Sequence, residues 1–227
     1  MKPKKEYYRG NLPHYQQPGQ WFSVTCPLFG AMPKGAMDKY ASKLEIAKVN
    51  LKIAKANHDK NDEISLLEKQ YFNALNNYRL AFDKTFHNSK SPKISLMTET
   101  NRPVLEEALG FWEGKRLISH AWCIMSNHFH WVLSVFKKDE NGNPVYLEDI
   151  LHSVKLFSAR NINANEGIEG QLWLHESFDT TIRNNIHFNN VVNYVINNPV
   201  SAGLVKDWQD WPGTFLESGT QTFQVRD

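Results

Sequence analysis

The stretch that most constrains the fold is residues 125–135. From His128 onward its side chains alternate, as in a β-strand with one face turned to a core. The apolar set is Phe129, Trp131, Leu133 and Val135. The opposite set is His128, His130, Val132 and Ser134. Residues two apart on a strand point the same way, so His128 and His130 stand side by side. Two parallel imidazoles form half of a metal site; the plain alternative is two polar residues on a half-exposed strand.

Composition indicates one domain that carries an insertion. The chain has 227 residues, of which 41% are hydrophobic, so a proper core can form. No apolar run approaches the roughly 20 residues of a membrane span, and residues 1–6 lack the apolar region of a secretory signal. We therefore expect a cytoplasmic protein in which Cys26 and Cys123 are buried, reduced thiols. A net charge of only +2 does not by itself indicate a nucleic-acid partner.

The chain divides into an arm, a main domain with an insertion, and a tail. Residues 1–20 are basic and loop-like, which suggests a disordered tail or an arm lying on a phosphate backbone. The domain spans 21–215, and 216–227 form a C-terminal tail. Within the domain, the insertion at about 38–90 is charged and helical. We predict that it forms an antiparallel helical hairpin, with one long helix as the alternative. The apolar stripes expected to pack together are Leu44, Ala47, Leu51 and Ala54, then Leu67, Tyr71, Ala74, Tyr78 and Phe82.

Outside the insertion, the predicted elements follow a single plan. In order they are a strand at 21–26, a helix at 103–113, strands at 117–125 and 128–135, a helix at 147–161, an extended segment at 178–183 and a helix at 187–197. This is the β-α-β-β-α-β order of ferredoxin-like folds. We therefore predict an α+β fold with an antiparallel sheet and helices on its faces.

The last predicted helix has a tyrosine on the side away from its core. Its apolar arc contains Phe188, Val191, Val192, Val195 and Ile196. Tyr194 and Asn198 lie roughly opposite, one turn apart and within about 40° of each other. An ordinary surface tyrosine is the plain interpretation, and a functional one is the alternative.

Several segments together resemble the REP-associated tyrosine transposases of the HUH endonuclease superfamily. The motif at 125–130, Met-Ser-Asn-His-Phe-His, is similar to the family's Met-Pro-Asn-His-hydrophobic-His. Residues 193–205 resemble its tyrosine helix and Asn-Pro-Val-x-x-Gly-Leu-Val tail, and 207–212 resemble its tryptophan-bearing end. Residues 9–15 fit a branch with a helical insertion. The departures are Ser126, where the family usually has proline, and Leu174, where glutamine is common.

The resemblance implies a mechanism and a set of site residues. Tyr194 would attack a phosphorus of single-stranded DNA and form a 5′-phosphotyrosine. His128 and His130, with Asn198 one turn past the nucleophile, would bind a divalent ion, Mg²⁺ or Mn²⁺. The substrate would be a palindromic repeat folded as a hairpin.

Other expectations are less specific. Arg183, Lys155 and Arg160 are candidates for phosphate contacts and equally for solvated surface charges. We expect a monomer, with a dimer as the alternative, associated with the nucleoid when bound to DNA. The alternative functions are a hairpin-DNA-binding module that does not cleave, and a metal hydrolase that uses activated water with Tyr194 incidental.

Overall fold

The computed structural model describes residues 4, 6–9, 13–32, 35–36, 38–58, 60–88, 93–175 and 177–219. The chain forms two compact units. One contains Met1–Gly30 and Ser91–Asp227, and the other is Ala31–Lys90. Across the described ranges, no helix combines the length and the apolar character that crossing a membrane requires.

The first unit is built on antiparallel strands. In chain order they are β1 (Tyr7–Arg9), β2 (Pro13–Tyr15), β3 (Trp21–Pro27), β4 (Leu117–Ile124), β5 (His128–Val135), β6 (Phe178–Thr181) and β7 (Thr214–Leu216). Strands β3 to β7 form one sheet in the order β6-β3-β5-β4-β7. The four predicted strands therefore stand in the order fourth, first, third, second, and every pairing is antiparallel. The predicted α+β, ferredoxin-like plan is confirmed.

The helices of this unit cover the two faces of the sheet. They are α3 (Asn101–Gly110), α4 (Leu147–Glu166), α5 (Asn185–Ile196) and the single turn α6 (Asn198–Ser201). The insertion, which precedes them in the chain, contains α1 (Asp38–Ala56) and α2 (Asn61–Asn88). Helix α5 packs on β4 and β5. Its apolar arc is confirmed, because these side chains form one buried cluster with Ala121, Cys123 and Val132 of the sheet.

The insertion is a helical hairpin, so the alternative of one long helix is wrong. Helices α1 and α2 pack against each other, and Lys55 near the end of α1 pairs with Glu68 near the start of α2 at 2.7 Å. The turn contains His58 at a positive φ of 56°. The residues of the predicted stripes are all half-buried or buried, except Phe82, whose side chain lies outside the described residues.

The N-terminal arm differs from the loop expected from its composition. Strands β1 and β2 pair as a hairpin, with Tyr7 opposite Tyr15. The Lys4 ammonium group contacts Asp149 at 2.6 Å and Glu148 at 3.3 Å. The acidic first turn of α4 therefore holds Lys4. At the other end, Leu216, which the sequence assigns to the tail, is paired in β7, and residues 220–227 lie outside the described part.

Strand β7 depends on a close approach at Gly213. The Gly213 carbonyl accepts a hydrogen bond from the Ile124 N–H at 2.9 Å, and the Trp211 indole N–H donates to the Ile124 carbonyl at 2.8 Å. A Cβ atom on Gly213 would lie 2.6 Å from the Ile124 oxygen and 2.8 Å from the sulfur of Met97. No side chain fits without displacing β7.

We expect Gly213→Ala to lower the free energy of unfolding by about 1–3 kcal/mol, since it forces overpacking against backbone. Urea denaturation of wild type and variant measures the change. Gly110→Ala is the matched control, because nothing lies within 4 Å of a Cβ there and the residue ends α3. Equal stability of the two variants would contradict the close contact.

Both cysteines are free and buried, as predicted. Burial raises the pKa of Cys26 to about 11 and that of Cys123 to about 12. At pH 8 only about one Cys26 side chain in a thousand is then in the thiolate form. Because the thiolate is the nucleophile, a protonated thiol does not react with alkylating reagents.

Iodoacetamide should therefore leave both cysteines of the native protein unmodified at pH 8 and modify both in urea. Mass spectrometry of the quenched reactions counts the modified thiols. Fast, stoichiometric modification of the native protein would contradict this burial.

Candidate functional site

Two imidazoles meet on the face of β5 that α5 covers. His128 and His130 are 0% and 1% exposed, and their Nε2 atoms lie 3.1 Å apart. The alternation of β5 places both rings on the predicted face. The side-by-side arrangement is thus present, but the plain alternative of a half-exposed strand is wrong, because the whole of β5 is buried.

The outer nitrogen of each ring has its own partner. Nδ1 of His128 lies 2.8 Å from Oδ1 of Asn127, and Nδ1 of His130 lies 2.8 Å from the hydroxyl of Thr25. The amide oxygen can only accept, so Nδ1 of His128 carries its proton and Nε2 carries a lone pair. Nε2 of His130 then donates to that lone pair, and the Thr25 hydroxyl donates to Nδ1 of His130.

The donor set fits a divalent ion. Adjacent ligands of an octahedral Mg²⁺ at about 2.0–2.1 Å stand about 3 Å apart, which is close to the separation of the two Nε2 atoms. Ligation needs both Nε2 lone pairs, so the His130 proton would sit on Nδ1. The Thr25 hydroxyl can accept it there, since a hydroxyl both donates and accepts. Two imidazoles, each oriented by an outer partner, could therefore hold such an ion.

A third protein ligand for such an ion would have to come from a group other than a His, Cys, Asp or Glu side chain. Across the described ranges, no three His, Cys, Asp or Glu side chains come together as a metal cluster. Asn198 is 1% exposed, whereas Tyr194 is 38% exposed, so the two do not share the exposed side that an unbroken helix would give them. The reason is local: α5 ends at Ile196, and a new turn begins at Asn198. Asn198 as a ligand stays a prediction.

Tyr194 stands over the histidine pair. Its ring centroid is 5.5 Å from that of His130, and the ring planes meet at 77°. The buried cluster under α5 includes Val191 and Val195, which flank Tyr194 along the helix. The buried side of α5 is therefore fixed by packing on the sheet, while the Tyr194 ring lies between His130 and solvent.

The three predicted phosphate contacts have different surroundings. Arg183 is exposed, just past β6, and makes no hydrogen bond or ion pair with a described residue. Arg160 is exposed on α4 and likewise has no such partner in the described part. The Lys155 ammonium group donates to the carbonyls of Leu174 at 3.0 Å and His175 at 3.2 Å. Lys155 therefore anchors the segment before β6 and keeps one of its three donors. Contact with phosphate stays a prediction for all three.

One buried group that the sequence did not single out supports α5 and the sheet edge. The register between β4 and β5 skips His120, so this bulged residue turns its ring to the face of α5. Its Nδ1 lies 3.0 Å from Oε2 of Glu217, and its Nε2 lies 3.0 Å from the hydroxyl of Ser134. The ring stacks on Trp21 at 4.3 Å and meets Phe188 of α5 edge-on. A bulge leaves no signal in local periodicity, which is why sequence reasoning did not find this residue.

No family model matches the chain, and no curated protein matches it. The chain is similar to a solved structure of a REP-associated tyrosine transposase bound to a REP hairpin. That likeness covers 97% of this chain and 93% of the other, with 15% identity and a TM-score of 0.50. The two proteins share a fold.

Proposed function

We propose that the protein cleaves and transfers single-stranded DNA, with Tyr194 as the nucleophile. The observation that carries this proposal is the contact between the Tyr194 ring, which is 38% exposed, and His130 of the buried histidine pair. The shared fold with a transposase bound to a REP hairpin supports a palindromic hairpin as the substrate. We propose that the protein acts on it in the cytoplasm.

The reaction asks for an activated phenol. The Tyr194 oxygen attacks the phosphorus, the bond from phosphorus to the 3′ oxygen breaks, and that oxygen leaves with a proton as a free 3′-OH. The product is a 5′-phosphotyrosine that retains the phosphodiester, so a second 3′-OH can reverse the step on another strand. A phenol of pKa about 10 must lose its proton to attack, so the site has to favour the phenolate.

We propose that His128 and His130 hold a Mg²⁺ or Mn²⁺ ion, with the amide oxygen of Asn198 as a further ligand. When bound, such an ion polarises a phosphate oxygen and offsets the negative charge that develops on it. Asn127 fixes the tautomer of His128, and Asn127 and Thr25 orient the two rings. Burial of both rings keeps water from competing for their Nε2 atoms.

Cationic side chains would bind the DNA backbone. Arg183 and Arg160 are both exposed and without a partner in the described part, and Arg183 is the best candidate because it lies two residues before α5, the helix that carries Tyr194. Arg160 and the remaining donor of Lys155 are proposed as weaker phosphate contacts.

The proposed working unit is a monomer. One chain supplies both the histidine pair and the tyrosine beside it. A dimer that exchanges α5 between subunits is the alternative.

A hairpin-binding module that does not cleave is the second candidate function. A neighbour bound to a hairpin supports binding as much as cleavage. The two candidates, and a hydrolase that uses activated water, differ in one product. Only the tyrosine mechanism leaves a covalent bond between protein and DNA.

The decisive experiment incubates a labelled hairpin, taken from a panel of extragenic palindromes, with the protein and Mn²⁺. We expect a covalent adduct on a denaturing gel that disappears with Tyr194→Phe or with EDTA, because each removes a required part of the reaction. Tyr40→Phe, which changes an exposed tyrosine of the insertion, should keep the adduct.

The other outcomes separate the alternatives. Cut DNA without an adduct, retained in Tyr194→Phe, would support the water-based hydrolase. Tight binding across the panel with no cut and no adduct would support the binding module.

Thr25→Val should weaken Mn²⁺ binding by about 10–100-fold, because Nδ1 of His130 loses the hydroxyl that accepts its proton in the ion-bound state. Isothermal titration calorimetry of the protein without DNA measures the affinity. Thr25→Ser keeps the hydroxyl and should bind like wild type. If valine and wild type bind Mn²⁺ equally, Thr25 has no role in ligation.

A further inference from the structure

The exposed side of α5 is unusual for a surface helix. None of its 12 residues is Asp, Glu, Lys or Arg. Its exposed positions carry asparagines and few other side chains: Asn185, Ile186, Asn189, Asn190, Asn193 and Tyr194. Surface helices in water normally carry charged or alanine side chains, which form helix better than asparagine does. The helix thus has neutral amides where charges are the rule.

Among the described residues, the amides of Asn190, Asn193 and Asn197 make no hydrogen bond outside α5 and its C-terminal end. The side chains of Asn190 and Asn193 make no hydrogen bond with a described residue, and the Asn197 amide donates only to the carbonyl of Asn193, at 2.9 Å. Asparagine weakens a helix because its side chain competes for backbone hydrogen bonds in other conformations. Residues that weaken a helix and make no contact outside it are expected where the surface of the helix binds another molecule.

Their placement relative to Tyr194 is regular. Asn190, Tyr194 and Asn197 are spaced four and three residues apart, so they form one row on the helix. Asn193 lies beside that row, about 100° around the helix from Tyr194. Asn185 is also exposed, but it lies in the first turn of α5, about 180° around the helix from Tyr194 and roughly 13 Å from it along the helix axis.

We propose that Asn190, Asn193 and Asn197 recognise the unpaired bases that flank the phosphate attacked by Tyr194. This inference rests on the proposed function, because it takes the strand beside Tyr194 to be single-stranded DNA. An amide presents a donor and an acceptor together, which pairs with the matching edge of a base such as adenine. Unpaired bases also expose their Watson–Crick edges, which are occupied by base pairing in a duplex.

The neutrality of the row distinguishes it from a backbone contact. A cation that binds phosphate contributes to affinity for every sequence and to its salt dependence. A neutral amide that binds a base edge contributes to the choice of base and not to the salt dependence. Recognition by the asparagine row and attraction by Arg183 are thus separable by experiment.

The experiment is a binding selection in EDTA, so that no strand is cut. Hairpins with randomised unpaired bases on both sides of the stem are equilibrated with the protein, and bound DNA is sequenced. Wild type should select particular bases at one or more unpaired positions. The triple variant Asn190→Ala, Asn193→Ala, Asn197→Ala should lose about tenfold of that selectivity. It should also melt at the same or a higher temperature, since alanine favours helix.

Two matched variants test the assignment. Asn185→Ala makes the same substitution at the opposite end of α5, on the side away from Tyr194, and should keep the wild-type base preference. Arg183→Ala should lower affinity for all sequences and reduce the slope of affinity against salt concentration, with the preference unchanged. The triple variant should leave that slope unchanged.

Three results would overturn the inference: a wild type without base preference at the unpaired positions, a triple variant that keeps the preference, or one that loses affinity uniformly. Failure of the proposed function has a different signature. Without a Tyr194 adduct in Mn²⁺, the cleavage proposal fails, while base selection in EDTA still decides whether the asparagine row recognises DNA.

Discussion

The structure depends on the burial of two imidazoles in its central strand. Every residue of β5 is buried, yet two of them are His128 and His130. A buried polar ring without a partner is costly, so each nitrogen must be matched. Asn127, Thr25 and the contact between the two rings meet that requirement. The site therefore requires β3 to lie beside β5 in one register, with Thr25 opposite His130.

Helix α5 extends this arrangement to the surface. Its buried side closes the sheet over the histidine pair, and its exposed side carries Tyr194 among neutral amides. The bulged His120 joins α5, through Phe188, to the segment after β7, through Glu217. Parts of the chain about 100 residues apart thus fix one helix, and the position of Tyr194 follows from that helix.

Much of the fold was predictable because its signals are local. The period of two in 128–135, the apolar arc of α5 and the paired stripes of the insertion each lie within a few turns of chain. Strands β1, β2 and β7 were missed because three residues are too few to show a period. The bulge at His120 and the burial of Asn198 were missed for a related reason: a one-residue skip and a helix break at Asn197 change the face of everything that follows.

The amino-acid sequence by itself determined which side chains share a face: His128 with His130 on one side of a strand, and Tyr194 opposite the apolar arc of its helix. Those relations follow from backbone geometry, which is the same in any protein. Only the tertiary structure decided that the two Nε2 atoms meet, that Thr25 and Asn127 hold the rings, and that Tyr194 stands beside His130. These contacts depend on strand register and helix packing, which are set by the whole core.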